Sequence, residues 1–341
     1  SRPVIGMTNA GTWVAVFGNG YESTTGEASL FIVDIEKGTD GVWDIGDYQK
    51  ISTGVGTVGD KNGLAPPALA DIDGNGTIDR AYAGDLRGNM WVFDLTSTSP
   101  GGWTIANKSG GTSAPLFTTA TKQPITAKPV LASHPTVPNS SQNSPNIMVY
   151  FGSGQYLVNG DKVTTDTQAF HGVWDMGKAQ LTQSDLVQQQ FDANYTQGRV
   201  LTRNPVDYSL AQGCFFNLPD SGERSVTPPI ARADTVFFNT FVPDNKACSI
   251  GGYGYRFAVD MSTCGSPLLA TIDSNGDSVV DDNDYVSNGV TDSTLAAVRQ
   301  EGYLPEPVFI EDLAFTGEQA TKIKALSNVP TGRFSWQELL F

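Results

Sequence analysis

The stretch ADIDGNGTIDRAYAGDLRGNMWVFDL, residues 70–95, contains the pattern from which the fold class can be predicted. An acidic loop at 71–79 leads into an apolar strand that ends in a small-residue turn (80–89) and then into a strand that ends in an aspartate (90–95). Glycine supplies the backbone conformations of tight turns, and short apolar runs joined by such turns are typical of antiparallel strands. The stretch therefore predicts a β-hairpin with an acidic loop before it.

The same order of elements recurs along the chain, with a proline and a short apolar run in front of each set. The proline runs are RPVI (2–5), PPALADI (66–72), KPVLAS (128–133), PPIARA (228–233) and EPVFIED (306–312). The strand-end aspartates are Asp34, Asp94, Asp175 and Asp260. Repeated groups of short strands with glycine turns are the signature of a β-propeller, so we predict an all-β propeller.

Side chains in these strands have two predicted roles. The strand-end aspartates are expected to accept hydrogen bonds from turn amides rather than to catalyse a reaction. The residues predicted to form the core of the blades are Val14, Val16, Trp91, Phe93, Val173 and Phe257.

Helices are predicted only at 183–191 and at 292–302, the second with Asp292 or Ser293 as N-cap and Gly302 as its end.

The composition restricts the class of partner. The 341 residues carry a net charge of −15, which argues against binding to nucleic acid phosphates or anionic lipid and suits a protein that gathers cations. No apolar run reaches the length of a membrane span. The N-terminus has no signal peptide and begins almost inside a strand, so we expect a fragment of a larger protein.

Cysteine and histidine are scarce. Only His134 and His171 accompany the three cysteines, and none has zinc-site spacing, so the sequence disfavours a structural zinc site. His134 lies in a proline-rich stretch and His171 in a predicted strand beside aromatic residues, so both are interpreted as structural. Cys248 and Cys264 could close a small loop in an oxidising compartment, although an extended run between them would hold its ends ~20 Å apart. This disulfide is slightly favoured over free buried thiols, and the pairing among Cys214, Cys248 and Cys264 stays open.

The first acidic loop has the ligand spacing of an EF-hand. Its oxygen-bearing residues occupy positions 1, 3, 5, 7 and 9, with Gly76 at the sharp bend. They are Asp71, Asp73, Asn75, Thr77 (through its backbone carbonyl) and Asp79. Position 12 is Tyr82 instead of glutamate and a strand follows, which predicts a calcium loop joined to a β-hairpin. The alternative is a polar turn, and magnesium is disfavoured because it keeps its waters.

A second acidic loop lies at 272–289. Its predicted ligands are Asp273, Asn275, Asp277, Val279 (carbonyl), Asp281 and Asp284. Position 6 is Ser278 instead of glycine, and Gly276 stands at position 4, whereas Asp284 at position 12 strengthens the match. Calcium at either loop would stabilise the folded state or act as a switch, and the sequence leaves both roles open.

Several motifs resemble the C-terminal domain of PilY/PilC-type type IV pilus biogenesis proteins and adhesins. They are NGLAPPALADIDGNGTIDRAYAGDLRGNMWVFDL (62–95), TQAFHGVWD (167–175), GERSVTPPIARADTVFFNTFV (222–242) and the closing GRFSWQELLF (332–341). The resemblance implies a modified β-propeller, and we expect about seven blades, some irregular, with inserted loops and a few short helices. It also implies calcium at 71–79 and, in some members, a second dockerin-like loop that 273–284 fits.

The resemblance further implies a function. In that family, calcium occupancy is linked to pilus extension against retraction, and the domain promotes adhesion and twitching motility. An integrin-binding Arg-Gly-Asp of some members is not carried over, because residues 87–89 read Arg-Gly-Asn here. The resemblance covers the C-terminal domain of that family, so we expect the family's N-terminal half to lie outside these 341 residues.

We therefore predict one propeller domain over residues 1–341, a C-terminal fragment of a larger bacterial surface protein that is not an enzyme and that contributes to virulence. Expected partners are pilin or minor pilins, the pilus machinery and a host-cell ligand, outside the cytoplasm of a Gram-negative bacterium. The alternatives are an integrin-like or carbohydrate-binding propeller adhesin and a quinoprotein-type propeller dehydrogenase. No vicinal cysteine pair or catalytic triad supports the dehydrogenase.

Overall fold

The computed structural model describes residues 1–121, 123–137, 145–244, 251–310, 313–316 and 319–323. Within these residues the regular structure is strand, and the helices are five short 3₁₀ turns at Lys37–Asp40, Pro100–Gly102, Asn159–Val163, Gln183–Asp185 and Asp282–Asp284. The prediction of an all-β fold with a few short helices is confirmed. None of the helices in this part of the chain is long and apolar enough to cross a membrane.

The first sheet contains β1 (Val4–Met7), β2 (Trp13–Gly18), β3 (Ser29–Asp34) and β4 (Tyr48–Ser52) in the order β1-β2-β3-β4. Neighbouring strands are antiparallel, and Val16 lies opposite Val4 on one side and Ile32 on the other. Successive side chains of a strand point to opposite faces of the sheet. Val14, Val16 and Ile32 therefore share one face, and that face is buried.

The second sheet holds the acidic loop. Its strands are β5 (Ala68–Ala70), β6 (Arg80–Gly84), β7 (Asn89–Asp94), β8 (Thr104–Ile105) and, after a ribbon of β9 (Lys108–Ser109) and β10 (Thr112–Ser113), β11 (Phe117–Thr118). The order is β11-β7-β6-β5, and β8 also pairs with β7. The predicted hairpin is β6–β7, in which Arg80 lies opposite Asp94, and the acidic loop connects β5 to β6.

The later sheets repeat this arrangement. The third contains β12 (Val130–Ser133), β13 (Ile147–Gly152), β14 (Ala169–Asp175), β15 (Val187–Gln188) and β16 (Gly213–Asn217) in the order β12-β13-β14-β16-β15. The fourth contains β17 (Ile230–Arg232), β18 (Thr235–Asn239), β19 (Val242–Pro243) and β20 (Gly252–Asp260) in the order β17-β18-β20-β19. After a ribbon of β21 (Val286–Ser287) and β22 (Asp292–Ser293), β23 (Ala297–Glu301) pairs with β20. A last sheet contains β24 (Val308–Ile310), β25 (Leu313–Thr316) and β26 (Gln319–Lys322).

The chain divides into two compact units. The first includes residues 1–149 and 174–183, and the second includes residues 150–173 and the described residues from 184 onward. The first unit has an aliphatic and aromatic core. The second contains the stacked rings of Phe170, Phe238 and Phe257, with successive centroids 4.0 and 4.6 Å apart. All six predicted core residues are buried. The single domain over 1–341 and the blade count stay predictions.

The predicted role of the strand-end aspartates is confirmed. Each accepts a hydrogen bond at Oδ1 from the amide two residues later, at 3.1 Å for Asp34, 3.0 Å for Asp94, 2.9 Å for Asp175 and 3.0 Å for Asp260. The carboxylate thus satisfies a turn amide that the strand ladder leaves unpaired. These four aspartates therefore stabilise the turns that follow their strands.

Asp175 has a second role that the sequence does not reveal. Its Oδ2 accepts hydrogen bonds from Arg80 Nη1 at 3.1 Å and from the Tyr82 hydroxyl at 2.8 Å. The carboxylate is fully buried, and the Arg80 side chain is only 7% exposed. This is an ion pair inside the first unit, where charges are stable only when paired and hydrogen-bonded.

The prediction of helices at 183–191 and 292–302 is wrong. Over 183–191 a 3₁₀ turn leads into β15, which pairs in parallel with β16. Over 292–302, the predicted N-cap residues form β22, and β23 pairs antiparallel with β20 before Gly302 turns the chain at a φ of +83°. In both places, pairing with a strand distant in sequence overrides local helix propensity.

The favoured Cys248–Cys264 disulfide is also wrong. Cys264 forms a disulfide with Cys214, and their Cα atoms are 5.7 Å apart. Cys214 lies in β16 and Cys264 lies in the turn after β20, so the fold brings together residues 50 positions apart. Cys248 lies outside the described residues, as does the closing 332–341 motif.

Candidate metal site

The acidic loop at 71–79 is fixed at its base by backbone hydrogen bonds. The Asp79 amide donates to the Ala70 carbonyl at 2.8 Å, which closes the β5–β6 connection. The Ile78 amide donates to the Met7 carbonyl at 2.8 Å, which ties the loop to β1. Gly76 has a φ of +87°, so the predicted bend occupies a conformation that favours glycine.

Three of the predicted ligands converge. Asp71, Asp73 and Asp79 each offer a carboxylate oxygen, and these atoms lie within 4.8 Å of one another. Asp71 and Asp79 are buried while Asp73 is exposed, so the cluster opens to solvent on one side. Like charges at this spacing repel by several kcal/mol at an effective dielectric constant of ~20, and a divalent cation reverses the sign of that interaction.

Backbone amides hold the Asp71 carboxylate in place. Oδ1 accepts from the amides of Gly74 at 2.8 Å and Asn75 at 3.2 Å, and Oδ2 accepts from the Gly76 amide at 2.6 Å. The chain is therefore wrapped around this one side chain. Hard oxygens presented by a loop wound in this way are the donor set that calcium prefers.

Asp79 closes the loop from its other end. Its Oδ2 accepts from the Ile72 amide at 2.8 Å. Burial raises the pKa of Asp79, and the nearby charge of Asp73 raises it further, although hydrogen bonds from Ile72 and Asn9 oppose the shift. The negative charge of Asp79 is therefore less favourable here than in water, and a nearby cation would offset this effect.

Asn9 is a positioning residue that sequence reasoning missed. Its Nδ2 donates to Asp79 Oδ1 at 3.2 Å and to the Ile78 carbonyl at 3.0 Å, and its Oδ1 accepts from the Thr77 hydroxyl at 2.9 Å. Asn75 Oδ1 accepts from the Thr77 amide at 2.8 Å. Asn75 and Thr77 therefore lie in the same network, while the close convergence is between the three carboxylates.

The second acidic loop has the hydrogen-bond pattern of the first. Asp273 accepts from the amides three and five residues later at 2.7 and 2.9 Å, and Asp71 makes the corresponding pair at 2.8 and 2.6 Å. At position 5, Asp277 accepts from the amide two residues later at 2.8 Å, as Asn75 does at 2.8 Å. Asn275 makes the same bond from position 3, at 2.8 Å. The two loops are wound alike.

The second loop closes through Asp284. Its Oδ1 accepts from the Ser274 amide at 2.6 Å, which corresponds to the Ile72–Asp79 bond of the first loop. Asp281 instead caps the following 3₁₀ turn by accepting from the Asn283 amide at 2.8 Å. In the described part of the chain, only the first loop brings three carboxylates within 4.8 Å, and Val279 contributes no carboxylate, so metal at the second loop stays a prediction.

The two histidines lie among packed rings. His171 is fully buried in β14, stacked 5.1 Å from Phe151 and 6.1 Å from Phe215, and burial lowers its pKa to about 3. His134 packs 4.5 Å from Trp174, and burial lowers its pKa to about 4. Their burial agrees with the interpretation of both as structural residues.

His171 predicts a dependence of stability on pH. The unfolded chain takes up the proton near pH 6.5 and the folded chain only near pH 3, so the free energy of unfolding falls as pH drops through this window, by up to about 1.4 kcal/mol per unit. His171→Phe should remove this contribution. Urea unfolding at about pH 7 and pH 4.5 checks it, and a difference between variant and wild type that stays constant with pH would contradict it.

Comparison with known proteins identifies similar chains. A family model described as the PilY1 beta-propeller domain matches residues 1–203. A type IV pilus biogenesis factor PilY1 homolog of Xylella fastidiosa is 32% identical over 291 residues, covering 78% of this chain and 19% of that protein. PilY1 of Pseudomonas aeruginosa is 29% identical over 347 residues, covering 88% of this chain and 28% of that protein.

A solved structure agrees with the fold. The crystal structure of the Pseudomonas aeruginosa PilY1 C-terminal domain matches with a TM-score of 0.76 and 25% identity, covering 96% of this chain and 72% of the solved chain. With the family model, this match confirms the predicted β-propeller class. The chain spans less than a third of the length of the curated relatives above.

Proposed function

The chain belongs to the PilY1 family of type IV pilus biogenesis factors, and from that membership we propose that calcium at the 71–79 loop regulates pilus extension against retraction. The observation that carries the proposal is the convergence of the Asp71, Asp73 and Asp79 carboxylates. The relatives are named as type IV pilus biogenesis factors, which supports a role in pilus assembly. The proposal extends this role, without enzymatic activity, to twitching motility and adhesion.

The loop's own residues would hold the ion. Asp71, Asp73 and Asp79 would bind it through carboxylate oxygens, and Asn75 and the Thr77 carbonyl would complete the shell. Bound calcium would supply the positive charge that offsets the repulsion between the carboxylates. The amides around Asp71 keep its oxygens directed into the loop.

We also propose calcium at the second loop, held by Asp273, Asn275, Asp277, the Val279 carbonyl and the two candidates Asp281 and Asp284. The bond from the Ser274 amide supports Asp284 as the counterpart of Asp79. The cap that Asp281 forms on the 3₁₀ turn favours a structural role for that residue.

The first loop is suited to a switch because hydrogen bonds connect it to the turn between β1 and β2. Asn9 joins the loop to the β1–β2 turn through Thr77, Ile78 and Asp79. Without a cation, repulsion between the carboxylates favours an open loop and weakens these bonds. The surface formed by the loop and the β1–β2 turn would then differ between the two states, so a partner could distinguish them.

The partners that fit this role are pilin or minor pilins, the pilus machinery and a host-cell ligand. The Cys214–Cys264 disulfide supports an oxidising location outside the cytoplasm, such as the pilus tip, the cell surface or the periplasm of a Gram-negative bacterium. Contact with host cells at that location would link the protein to virulence.

A strain that produces the full-length protein with Asp73→Ala tests the proposal. Its twitching zones and surface pili should match those of wild-type cells deprived of calcium, whether or not calcium is supplied. Asp282→Ala is the control, because it also removes one exposed acid but not a proposed ligand. Calcium-dependent twitching that persists in the Asp73→Ala strain would contradict the proposal. Normal pili with altered calcium-dependent glycan binding would favour the carbohydrate-binding adhesin, and a bound quinone chromophore would favour the dehydrogenase.

A further inference from the structure

The first sheet is apolar on both of its faces. One face packs Val14, Val16, Leu30 and Ile32 into the core together with Trp91 of the second sheet. An antiparallel sheet that covers a core from one side normally carries polar residues on its other side. The sheet β1–β4 departs from this pattern.

We define the outer face as Ile5, Trp13, Phe17, Phe31, Val33 and Tyr48. The strand register places these residues on one face of the sheet. Ala15 is paired with Ile5 on one side and with Val33 on the other, Val33 is also paired with Tyr48, and Phe17 is paired with Phe31. Phe17 stacks on Phe31 at 5.7 Å, and Phe31 lies 6.1 Å from Tyr48, so an aromatic row crosses three strands.

Among the residues that the structure describes, none covers the outer face. Ile5 is 60% exposed, Trp13 47% and Tyr48 37%. Lys50, opposite Phe31, places one charge at the border of the face. Contiguous apolar surface of this kind marks an interaction site in soluble proteins.

We propose that a further β-sheet of the same polypeptide, from outside residues 1–341, packs its apolar face on the outer face. In radial β-architectures each sheet lies between two neighbours, so a sheet with two apolar faces needs a second neighbour. The lengths of the relatives supply the candidate, because this chain covers 72% of the solved C-terminal domain and less than a third of the curated relatives. This proposal rests on the family and does not depend on calcium.

Cysteine labelling tests the proposal. Ile5→Cys places a thiol on the outer face, and Thr25→Cys places one in the exposed β2–β3 connection of the same sheet. Maleimide labelling rates are measured by peptide mass spectrometry in the 341-residue chain and in the full-length protein. We expect Ile5→Cys to label about 10-fold more slowly in the full-length protein and Thr25→Cys to label equally in both.

Three outcomes would overturn the proposal. The first is equal labelling of Ile5→Cys in both proteins. The second is protection of Ile5→Cys in a monomeric 341-residue chain. The third is protection that appears only as the protein concentration rises, because this result assigns the outer face to a second copy of the chain. Tyr48→Cys repeats the measurement on the opposite edge strand if Ile5→Cys does not fold.

Discussion

Replacing Asp73 with alanine is expected to weaken calcium binding about 100-fold, equivalent to about 2.7 kcal/mol. Asp73 belongs to the convergent cluster, yet it is exposed and accepts one backbone hydrogen bond, from Asn75 at 3.2 Å. Its loss therefore removes ligand charge with little effect on the fold. Calorimetric titration of the isolated chain measures the change directly.

Thermal or urea unfolding gives an independent measure of the same change. At a calcium concentration 100-fold above the wild-type dissociation constant, the ion should stabilise the wild type by about 2.7 kcal/mol and the variant by about 0.4 kcal/mol. Asp282→Ala should behave as the wild type. Asp79→Ala is less informative, because Asp79 is fully buried and also holds the Ile72 amide. Unchanged binding in Asp73→Ala would reject the site assignment.

Replacing Asp175 with alanine is expected to lower the free energy of unfolding by about 3–5 kcal/mol. The change leaves the buried Arg80 guanidinium without this counter-charge and removes the acceptor of the Tyr82 hydroxyl. Urea unfolding at neutral pH measures the loss.

Asp34→Ala is the matched control, because Asp34 also ends a strand but accepts hydrogen bonds only from exposed turn amides. We expect it to cost about 1 kcal/mol. The double variant Arg80→Met/Asp175→Leu should be more stable than Asp175→Ala, since it removes both charges together. A double variant as unstable as Asp175→Ala would show that lost packing, rather than the loss of the Asp175 counter-charge, explains the effect.

Features set by neighbouring residues could be predicted from the sequence. The candidate ligands Asp71, Asp73 and Asp79 lie within nine positions, so their spacing alone predicts that their carboxylates converge. The turn bonds of Asp34 and Asp260 likewise join residues two positions apart. Local geometry is sufficient in these cases because the acceptor and donor are fixed by the same turn.

Features set by distant residues could not be predicted. Asn9 contacts Asp79 from 70 positions away, and Arg80 is 95 positions from Asp175. The segment at 183–191 has a helical pattern in the sequence, but β15 within it pairs with β16. The disulfide between Cys214 and Cys264 likewise joins residues that only the tertiary fold brings together. Each of these depends on tertiary contacts that no local pattern encodes.

Met7 lies in β1 of the first sheet and contacts the 71–79 loop. Its carbonyl accepts the Ile78 amide at the base of the loop, and its side chain lies in the strand register beside Trp13 of the outer face. If a sheet docked there shifts β1, thermodynamic reciprocity requires docking to change calcium affinity by the same factor by which calcium changes docking. Under the proposed calcium switch, the calcium concentration at which the loop fills would then depend on how the whole polypeptide is assembled, and the isolated region would fill at a different concentration.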